Sequence, residues 1–406
     1  MLNETQIFGL LGALLMVAFF ANRLSTRTRV PDLLVLMVAG LVAGPLTGWL
    51  HASEFAAFTR YLGTFALILI LFEAGSEIRL REALRHFPAG VLFAFISFGA
   101  SFGMTALVAR WLLGLPPHQC LLFGGVFGCV SGTIVIPVLQ QFEIGGAVSV
   151  VLLLEAALGD VIAVITVGSL TNIAEGDPLL GGLLRGVATR TVVAILAAVI
   201  SGLLWSRARS RLAAYRFGSI TQLGAVLLVY AGTKIMGGSG LLAVLAFGLT
   251  LANVRGAAGT RRHEGDLLTF HSDLSFLVRS FFFVLLGASV ELIGRDYVLA
   301  TVAILGGLGG ARIASVYGLK WALRSLGNAE RQLAISLFPR GLVNAVLAIE
   351  VAAHGVGMNF LPAMTFTVIL VTNLLVVVAT WRFQASAPIK TPEAMSGSES
   401  APLRSG

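Results

Sequence analysis

The sequence predicts an all-α polytopic membrane protein in which thirteen transmembrane helices form inverted repeats with two crossed discontinuous helices. Three observations predict it: the composition, the spacing of the apolar segments, and two apolar helices that glycine and proline interrupt. Hydrophobic residues make up 57% of the 406 residues and charged residues only 12%, whereas soluble domains carry roughly 25% charged residues. We therefore expect most of the chain to lie in a membrane.

The apolar segments set the number of helices, because a membrane-spanning helix needs about 20 mostly apolar residues. The first segment has an acidic flank and no basic n-region, so we expect a retained helix and not a cleaved signal peptide. The thirteen segments are 5–23, 30–50, 60–78, 88–113, 119–141, 147–171, 181–205, 217–236, 239–254, 272–293, 297–319, 331–353 and 361–381.

The basic residues alternate between the loops and so orient the helices. They cluster after the odd-numbered helices other than the fifth, and the positive-inside rule assigns such loops to the cytoplasm. The predicted location is the cell inner (plasma) membrane, with the N-terminus outside and the C-terminus in the cytoplasm. This clustering also accounts for the net charge of +8, so we expect no nucleic acid partner.

Two pairs of segments indicate an internal repeat. VPDLLVLMVAGLVAGP (30–45) resembles SGLLAVLAFGLTLAN (239–253), and LILFEAGSEI (69–78) resembles FVLLGASVEL (283–292). Seven helices separate each element from its counterpart, so the two copies must have opposite orientations in the membrane, as in inverted-repeat transporters. The alternative is a chance likeness between glycine-rich apolar helices.

The repeat predicts one transmembrane domain over residues 1–382. Its repeats span about 30–171 and 239–382, and helix 181–205 links them. The remaining residues, 383–406, are rich in Ser, Pro and Ala, which leaves too little apolar surface to fold alone. We expect a disordered cytoplasmic tail.

Two helices should be interrupted at matching places in the two repeats. The fifth contains GCVSGTIVIPVLQQ, with Gly132 and Pro137, and the twelfth contains LFPRGLVNAVL, with Pro339 and Gly341 on either side of Arg340. Freed backbone groups are tolerated at membrane depth only where they line a protein-buried or watery cavity. Inverted-repeat transporters place their binding site at such breaks, although proline could also merely kink each helix.

Two acids in the sixth segment are candidates for an ion pathway, because ionisable residues deep in a membrane are rarely kept without a use. Glu155 and Asp160 point in directions roughly 140° apart on a helix, so different roles are expected. We pair Glu155 with Arg340 as a structural ion pair. Asp160 then has no basic partner and can hold a proton or Na⁺, with oxygen ligands from Ser131 and Thr133.

The remaining ionisable residues give weaker signals. Glu73 is either a vestibule carboxylate or a residue that snorkels to the headgroups, and Arg279 and Arg312 are expected to snorkel or contact lipid. Cys120 and Cys129 show no metal-ligand spacing and are expected to be small core residues. The sequence contains no nucleophile and base pairing, phosphate loop or metal cluster, so we expect neither an enzyme nor a cofactor beyond the transported ions.

Six motifs in order resemble the monovalent cation:proton antiporter superfamily, in particular the sodium/proton exchanger family. The resemblance implies the sodium/proton antiporter fold, a homodimer among membrane lipids, and elevator-like movement of a core domain. It also implies that Asp160 binds the cation or proton and that Glu155 pairs with Arg340. The motifs are RVPDLLVLMVAGLVAGP (29–45), LFEAGSEI (71–78), SGTIVIPVL (131–139), EAALGD (155–160), SFFFVLLGASVEL (280–292) and FPRGL (338–342).

Two positions depart from the family pattern. Gly159, part of the predicted ion site, stands where the family usually has Asn or Asp, and Ile134 replaces the Asp of a TDP motif.

One carboxylate alternating between one cation and one proton predicts electroneutral one-for-one exchange of Na⁺ for H⁺, with K⁺ and Li⁺ as alternatives. Other candidates are a proton- or sodium-coupled transporter of small organic solutes, and a sensor or channel without exchange. A single acid at the crossing argues against an organic anion, which would favour an unpaired Arg or helix N-termini.

Overall fold

The computed structural model describes residues 4–28, 30–49, 52–77, 80–141, 146–171, 179–212, 218–254, 261–290, 294–319 and 328–386. These residues form α-helices, one π-helical turn (Val42–Leu46) and one 3₁₀ turn (Arg295–Tyr297), with no strand among them. The helices are α1 (Glu4–Thr28), α2 (Asp32–Leu41), α3 (Ala52–Glu77), α4 (Leu80–Leu112), α5 (Pro117–Phe127), α6 (Gly132–Gln141), α7 (Gly146–Leu170), α8 (Leu179–Leu212), α9 (Gly218–Ile235), α10 (Gly240–Asn253), α11 (Arg261–Ala288), α12 (Val298–Gly318), α13 (Asn328–Ser336), α14 (Leu342–Ala353) and α15 (Leu361–Ser386).

The lengths of these helices suit a membrane. Within the described residues, nine helical spans are long and apolar enough to cross a bilayer, and four apolar helices are shorter. The chain is therefore a multi-pass membrane protein, while the count of thirteen spanning helices stays a prediction. The last helix continues to Ser386, four residues into the predicted tail; residues 387–406 lie outside the described residues.

The helices pack as two groups. One, here called the scaffold group, contains α1–α3 and α8–α11, and its most extensive packing joins α10 to both α3 and α8, and α11 to both α2 and α3. The other, the site group, contains α4–α7 and α12–α15, with α4 packed against α5, α7 and α12. Between the groups, α7 contacts α8 and α10, α14 contacts α3, and α15 contacts α2.

Glycines bring the scaffold helices into backbone contact. A Cβ at Gly40 would overlap the carbonyl oxygen of Val284, and one at Gly287 would overlap that of Met37, so α2 and α11 touch at these points. Small residues permit such close approach between membrane helices.

The crossing of α3 and α10 has the same form. A Cβ at Gly75 would overlap the carbonyl oxygen of Leu245, and one at Gly248 would meet that of Phe72. Gly40 and Gly248 lie in the first pair of similar segments, and Gly75 and Gly287 lie in the second. The inverted repeat therefore relates the crossing of α2 and α11 to the crossing of α10 and α3. The relation found in the sequence is thus reproduced in the packing.

Candidate ion-binding site

The first interruption lies between α5 and α6. Helix α5 ends at Phe127, residues 128–131 are not helical, and α6 begins at Gly132. Pro137 lies inside α6 and not in the break, which corrects the expectation that Gly132 and Pro137 both interrupt this helix. Because proline lacks an N–H, the carbonyl of Thr133 loses its helical donor, and a polar backbone oxygen remains available near the break.

The second interruption lies between α13 and α14, where residues 337–341 are not helical. Pro339, Arg340 and Gly341 all lie within it. The two interruptions touch: the backbone N–H of Ser131 donates to the carbonyl of Pro339 at 2.9 Å. A Cβ at Gly341 would overlap the Ser131 hydroxyl, so glycine is required for the two segments to cross this closely.

Two buried asparagines satisfy backbone groups that the interruptions release. Asn344 accepts from the N–H of Gly341 at 2.8 Å and donates to the carbonyl of Val126 at 2.7 Å. Asn373 donates to the carbonyl of Arg340 at 2.8 Å. Unpaired buried backbone groups are costly, so these side chains stabilise the irregular segments inside the protein.

Helix α7 places Asp160 against the first interruption. Gly132 lies opposite Ala156, and Gly159 lies opposite Cys129, each with room for ordinary van der Waals contact. The Asp160 side chain is buried, and its Oδ1 has no hydrogen-bond partner among the described residues. The Cys129 thiol lies close enough to the Asp160 carboxylate to interact with it.

The hydroxyls of Ser131 and Thr133 hydrogen-bond to each other at 2.9 Å. Neither reaches Oδ1 of Asp160, which has no partner in the described part of the chain. The arrangement thus brings a carboxylate, two hydroxyls and a freed carbonyl to one crossing, while Oδ1 of the carboxylate is not hydrogen-bonded to either hydroxyl. Oxygen donors of this kind suit a hard cation.

The predicted ion pair between Glu155 and Arg340 is wrong. Glu155 instead pairs with Arg312 of α12. Arg312 is buried, donates from Nε to the carbonyl of Ala334 at 2.8 Å, and lies over the ring of Phe93 at 5.2 Å. The expectation that Arg312 snorkels or contacts lipid is therefore also wrong. The reason is that α7 and α12 both pack on α4, which puts Arg312 within reach of Glu155.

The expectation of snorkelling fails for Arg279 as well. It forms a half-buried ion pair with Asp32 at 3.0 Å, which joins α11 to α2 in the scaffold group. Glu73 is half-buried on α3, also in the scaffold group, and its role as a vestibule residue stays a prediction.

Arg340 is fully buried at the second interruption. It donates to the carbonyl of Phe338 at 3.2 Å and to the hydroxyl of Ser101 at 3.3 Å. Its guanidinium is close enough to interact electrostatically with both Glu155 and Asp160. With Arg312, the four side chains form a cluster of two acids and two bases in which only Glu155 and Arg312 make a direct ion pair.

Sequence reasoning missed four residues of this site: Cys129, Arg312, Asn344 and Asn373. Each is polar and lies inside an otherwise apolar segment, which is the signal that could have found them. Arg312 is additionally preceded by two glycines and an alanine. Such small residues leave room for a neighbouring helix, and so favour a buried arginine over a lipid-facing one.

A cavity of about 690 Å³ lies between the two helix groups next to this site. Val164, one helical turn after Asp160, lines it from α7, and Val346 lines it from α14. The cavity therefore begins close to the crossing and extends toward the end of α7. In the predicted orientation that end faces outward.

The charges in the cavity are unevenly divided. Arg60, Arg190 and Lys234 line it from the scaffold helices α3, α8 and α9, whereas Glu350 lines it from α14. The cavity wall is thus basic on the scaffold side, and its acidic residue belongs to the site group.

Comparison with known proteins identifies the family. Residues 13–382 match the sodium/hydrogen exchanger, transmembrane, family. The chain belongs to the sodium/hydrogen exchanger family. The resemblance expected from the six motifs is thereby confirmed.

Curated relatives in this family are named as antiporters. Na(+)/H(+) antiporter 1 of Methanocaldococcus jannaschii is 24% identical over 367 residues, covering 84% of this chain and 82% of that protein. K(+)/H(+) antiporter NhaP of Alkalimonas amylolytica is 28% identical over 308 residues, covering 73% and 52%. K(+)/H(+) antiporter NhaP2 of Shewanella oneidensis is 28% identical over 258 residues, covering 62% and 45%. The aligned residues span about half of each K⁺/H⁺ antiporter.

Solved structures of one relative share the fold. The sodium proton antiporter MjNhaP1 from Methanocaldococcus jannaschii at pH 8 has a TM-score of 0.71 at 22% identity, covering 93% of this chain and 96% of that one. An electron microscopy structure of MjNhaP1 gives 0.74 at 22% identity, covering 95% and 96%. The predicted sodium/proton antiporter fold is confirmed.

Proposed function

We propose that this protein is a secondary active transporter that exchanges a monovalent cation for H⁺ across the membrane. Membership of the sodium/hydrogen exchanger family and the antiporter names of its relatives support this proposal. The observation that carries it is a buried carboxylate, Asp160, with an unpartnered oxygen at the crossing of two interrupted helices.

Asp160 is the shared site for the cation and the proton. Glu155 cannot easily fill this role, because Arg312 already neutralises it. Around Asp160, the hydroxyls of Ser131 and Thr133 and the freed carbonyl of Thr133 supply oxygen ligands once the cation draws them together. A hard monovalent cation favours such ligands. Protonation of the same carboxylate excludes the cation, which couples the two ions.

The charges of the cluster support an electroneutral one-for-one cycle. With Asp160 ionised, the two acids Glu155 and Asp160 balance the two bases Arg312 and Arg340. Binding either one monovalent cation or one proton adds the same single charge, so the two loaded forms cross the membrane with equal net charge. No net charge then moves in a complete cycle.

The two helix groups supply the moving parts. We propose elevator-type alternating access, in which the site group carries Asp160 past the scaffold group. The cavity between the groups reaches the neighbourhood of Asp160 from one face of the protein. A displacement of the site group would close that approach and open one from the other face.

We propose Na⁺ as the principal cation, with K⁺ and Li⁺ as alternatives. The Na⁺/H⁺ antiporter of M. jannaschii aligns over 82% of its length, which supports Na⁺. The K⁺/H⁺ antiporters have slightly higher sequence identity to this chain, but the alignments cover only about half of their length. K⁺ therefore remains an alternative.

The testing experiment measures proton flux in proteoliposomes with a pH-sensitive dye. Na⁺, K⁺ and Li⁺ are added in turn to wild type and Asp160→Asn, with and without a clamped membrane voltage. We expect cation-driven flux that is insensitive to voltage and absent from the variant. No cation-dependent flux in folded wild type would overturn the antiport proposal.

A second candidate is proton- or sodium-coupled transport of a small organic anion. The observation that favours it is the basic scaffold wall of the cavity, formed by Arg60, Arg190 and Lys234. A triple variant in which Arg60, Arg190 and Lys234 are all replaced by Gln separates the candidates. If this variant loses cation/proton exchange, and added organic anions do not change proton flux in the wild type, the second candidate is wrong.

We also propose a homodimer in the cell inner membrane with the N-terminus outside. Spans in α1 and α8 are the least buried, with 17% of their residues inside the protein, and so offer apolar surface to lipid or to a second copy. Cross-linking between single cysteines introduced on α1 and α8 in native membranes tests the dimer. Labelling of a cysteine near the N-terminus with a membrane-impermeant reagent tests the orientation.

A further inference from the structure

We propose that Cys129 is a positioning residue of the ion site: its thiol orients the Asp160 carboxylate from the space that the missing side chain of Gly159 leaves open. The inference rests on the proposed role of Asp160. Cys129 lies in the interruption between α5 and α6 and is only 1% exposed. A cysteine in that place can act on the site without facing solvent or lipid.

The packing of Gly159 carries the first part of the inference. A Cβ at residue 159 would lie 3.5 Å from the Cβ of Cys129 and 3.7 Å from its Cα, which is ordinary contact. Residue 159 therefore lacks a side chain for reasons other than crowding. The space beside it is occupied by Cys129, which approaches Asp160 from the neighbouring segment.

A chain of hydrogen bonds carries the second part. The amide Nδ2 of Asn344 lies 3.3 Å from the sulfur of Cys129, where it can donate. A sulfur that accepts from Asn344 keeps its S–H available to donate to the Asp160 carboxylate, which is close enough to interact with it. The second interruption is thereby connected through Asn344 and Cys129 to the acid in α7, and one oxygen of that acid stays unpartnered.

The chemistry of sulfur explains what such a contact does. A thiol is a weak hydrogen-bond donor and a poor ligand for hard cations. It therefore fixes the rotation of the carboxylate without joining the coordination shell. The charged groups that also face Asp160 are Arg340 at the second interruption and, further along the cluster, Glu155 and Arg312.

The test uses variants in a Cys120→Ala background, since Cys120 donates to the carbonyl of Leu115 at the far end of α5. We expect Cys129→Ala to raise the KM for the cation several-fold with little change in kcat and melting temperature. Cys129→Ser should retain a near-normal KM and move the pH profile of exchange to lower pH, because a hydroxyl donates more strongly to an ionised carboxylate. Adding Gly159→Asn to Cys129→Ala should restore affinity, because an amide then approaches from the vacant position.

Two kinetic outcomes would overturn the inference. One is a Cys129→Ala variant with the KM and pH profile of the background. The other is an equal loss of melting temperature and activity that Gly159→Asn does not rescue, because that indicates a packing role only. The 2.7 Å bond of Asn344 to the carbonyl of Val126 does not involve the thiol, so we expect the local fold to be retained when the sulfur is removed.

An infrared measurement tests the contact without transport. In the Cys120→Ala background a single thiol remains, and its S–H stretch should shift when pH protonates Asp160 and when Asp160 is replaced by Asn. A band that ignores both changes overturns the inference. If the band responds but the protein exchanges no ions, the contact stands and the proposed function fails. If exchange depends on Asp160 while the band does not respond to Asp160 and Cys129→Ala leaves the KM unchanged, the proposed function stands and the inference fails.

Discussion

Two regions of α7 contain buried carboxylates five residues apart, and their surroundings differ. Glu155 is 3% exposed and pairs directly with Arg312, whereas Asp160 is 9% exposed and keeps an oxygen without a partner in the described residues. Burial within the protein is thus nearly the same for both. We infer that the nearest cation, and not burial, separates the acid of a structural ion pair from the acid proposed to exchange ions.

The largest expected effect is that of Asp160→Asn, which removes the exchangeable charge at constant size. We predict exchange at the level of protein-free liposomes and a melting temperature at or above that of wild type, since the amide removes a costly buried charge. Dye-reported flux and thermal melting in detergent measure the two. Residual exchange in the variant would place the ion site elsewhere.

Next is Glu155→Gln, which leaves Arg312 buried without its partner. We predict a loss of about 3–5 kcal/mol in the free energy of unfolding, the cost of stranding one member of a buried ion pair. The double variant Glu155→Gln with Arg312→Met should recover most of it, since apolar replacement of both charges is often neutral. Asp273→Asn, at an exposed position on α11, is the matched control; a similar loss there would remove the contrast between the two acids.

Arg340→Lys tests whether Arg340 affects ion binding at Asp160 or only stabilises the protein. Lysine keeps the charge but cannot reproduce the bonds to both Phe338 and Ser101, so we predict a loss of about 1.5–3 kcal/mol in stability. Because Arg340 also interacts electrostatically with Asp160, we expect Arg340→Lys to change the KM for the cation. We expect no such change in KM for Glu155→Gln. The exposed Arg185→Lys on α8 is the control. An unchanged KM would show that Arg340 contributes to stability and not to ion binding.

The smallest effect should come from Asp32→Asn. Its pair with Arg279 is partly exposed, with 18% and 22% of the two side chains accessible, so solvent screening reduces its contribution to about 0.2–1 kcal/mol. Thermal melting measures it, with the exposed Asp296→Asn as control. A loss equal to that of Glu155→Gln would show that burial does not set the energy of these pairs.

Much of the fold could be predicted from the sequence, because the lengths of the apolar segments and the similarity between the two repeats can be read from the residue order alone. The breaks were also placed in the right helices, although Pro137 lies within α6. The partner of Glu155 could not be predicted, since Arg312 and Arg340 are both single cations in apolar segments. Only the packing of α7 and α12 on α4 decides between them. The contact of Cys129 with Asp160 likewise depends on the path of a non-helical segment, which has no periodic signal.

The glycine crossings of the scaffold group have a mechanical consequence. Where Gly40 and Gly287 bring α2 against α11, and Gly75 and Gly248 bring α3 against α10, main chain rests on main chain. No layer of long side chains lies between them to tilt, change rotamer or compress under load. In the proposed elevator cycle, a force from the site group would therefore meet a stiff frame, and the displacement would fall on the boundary between the two groups, where the cavity lies.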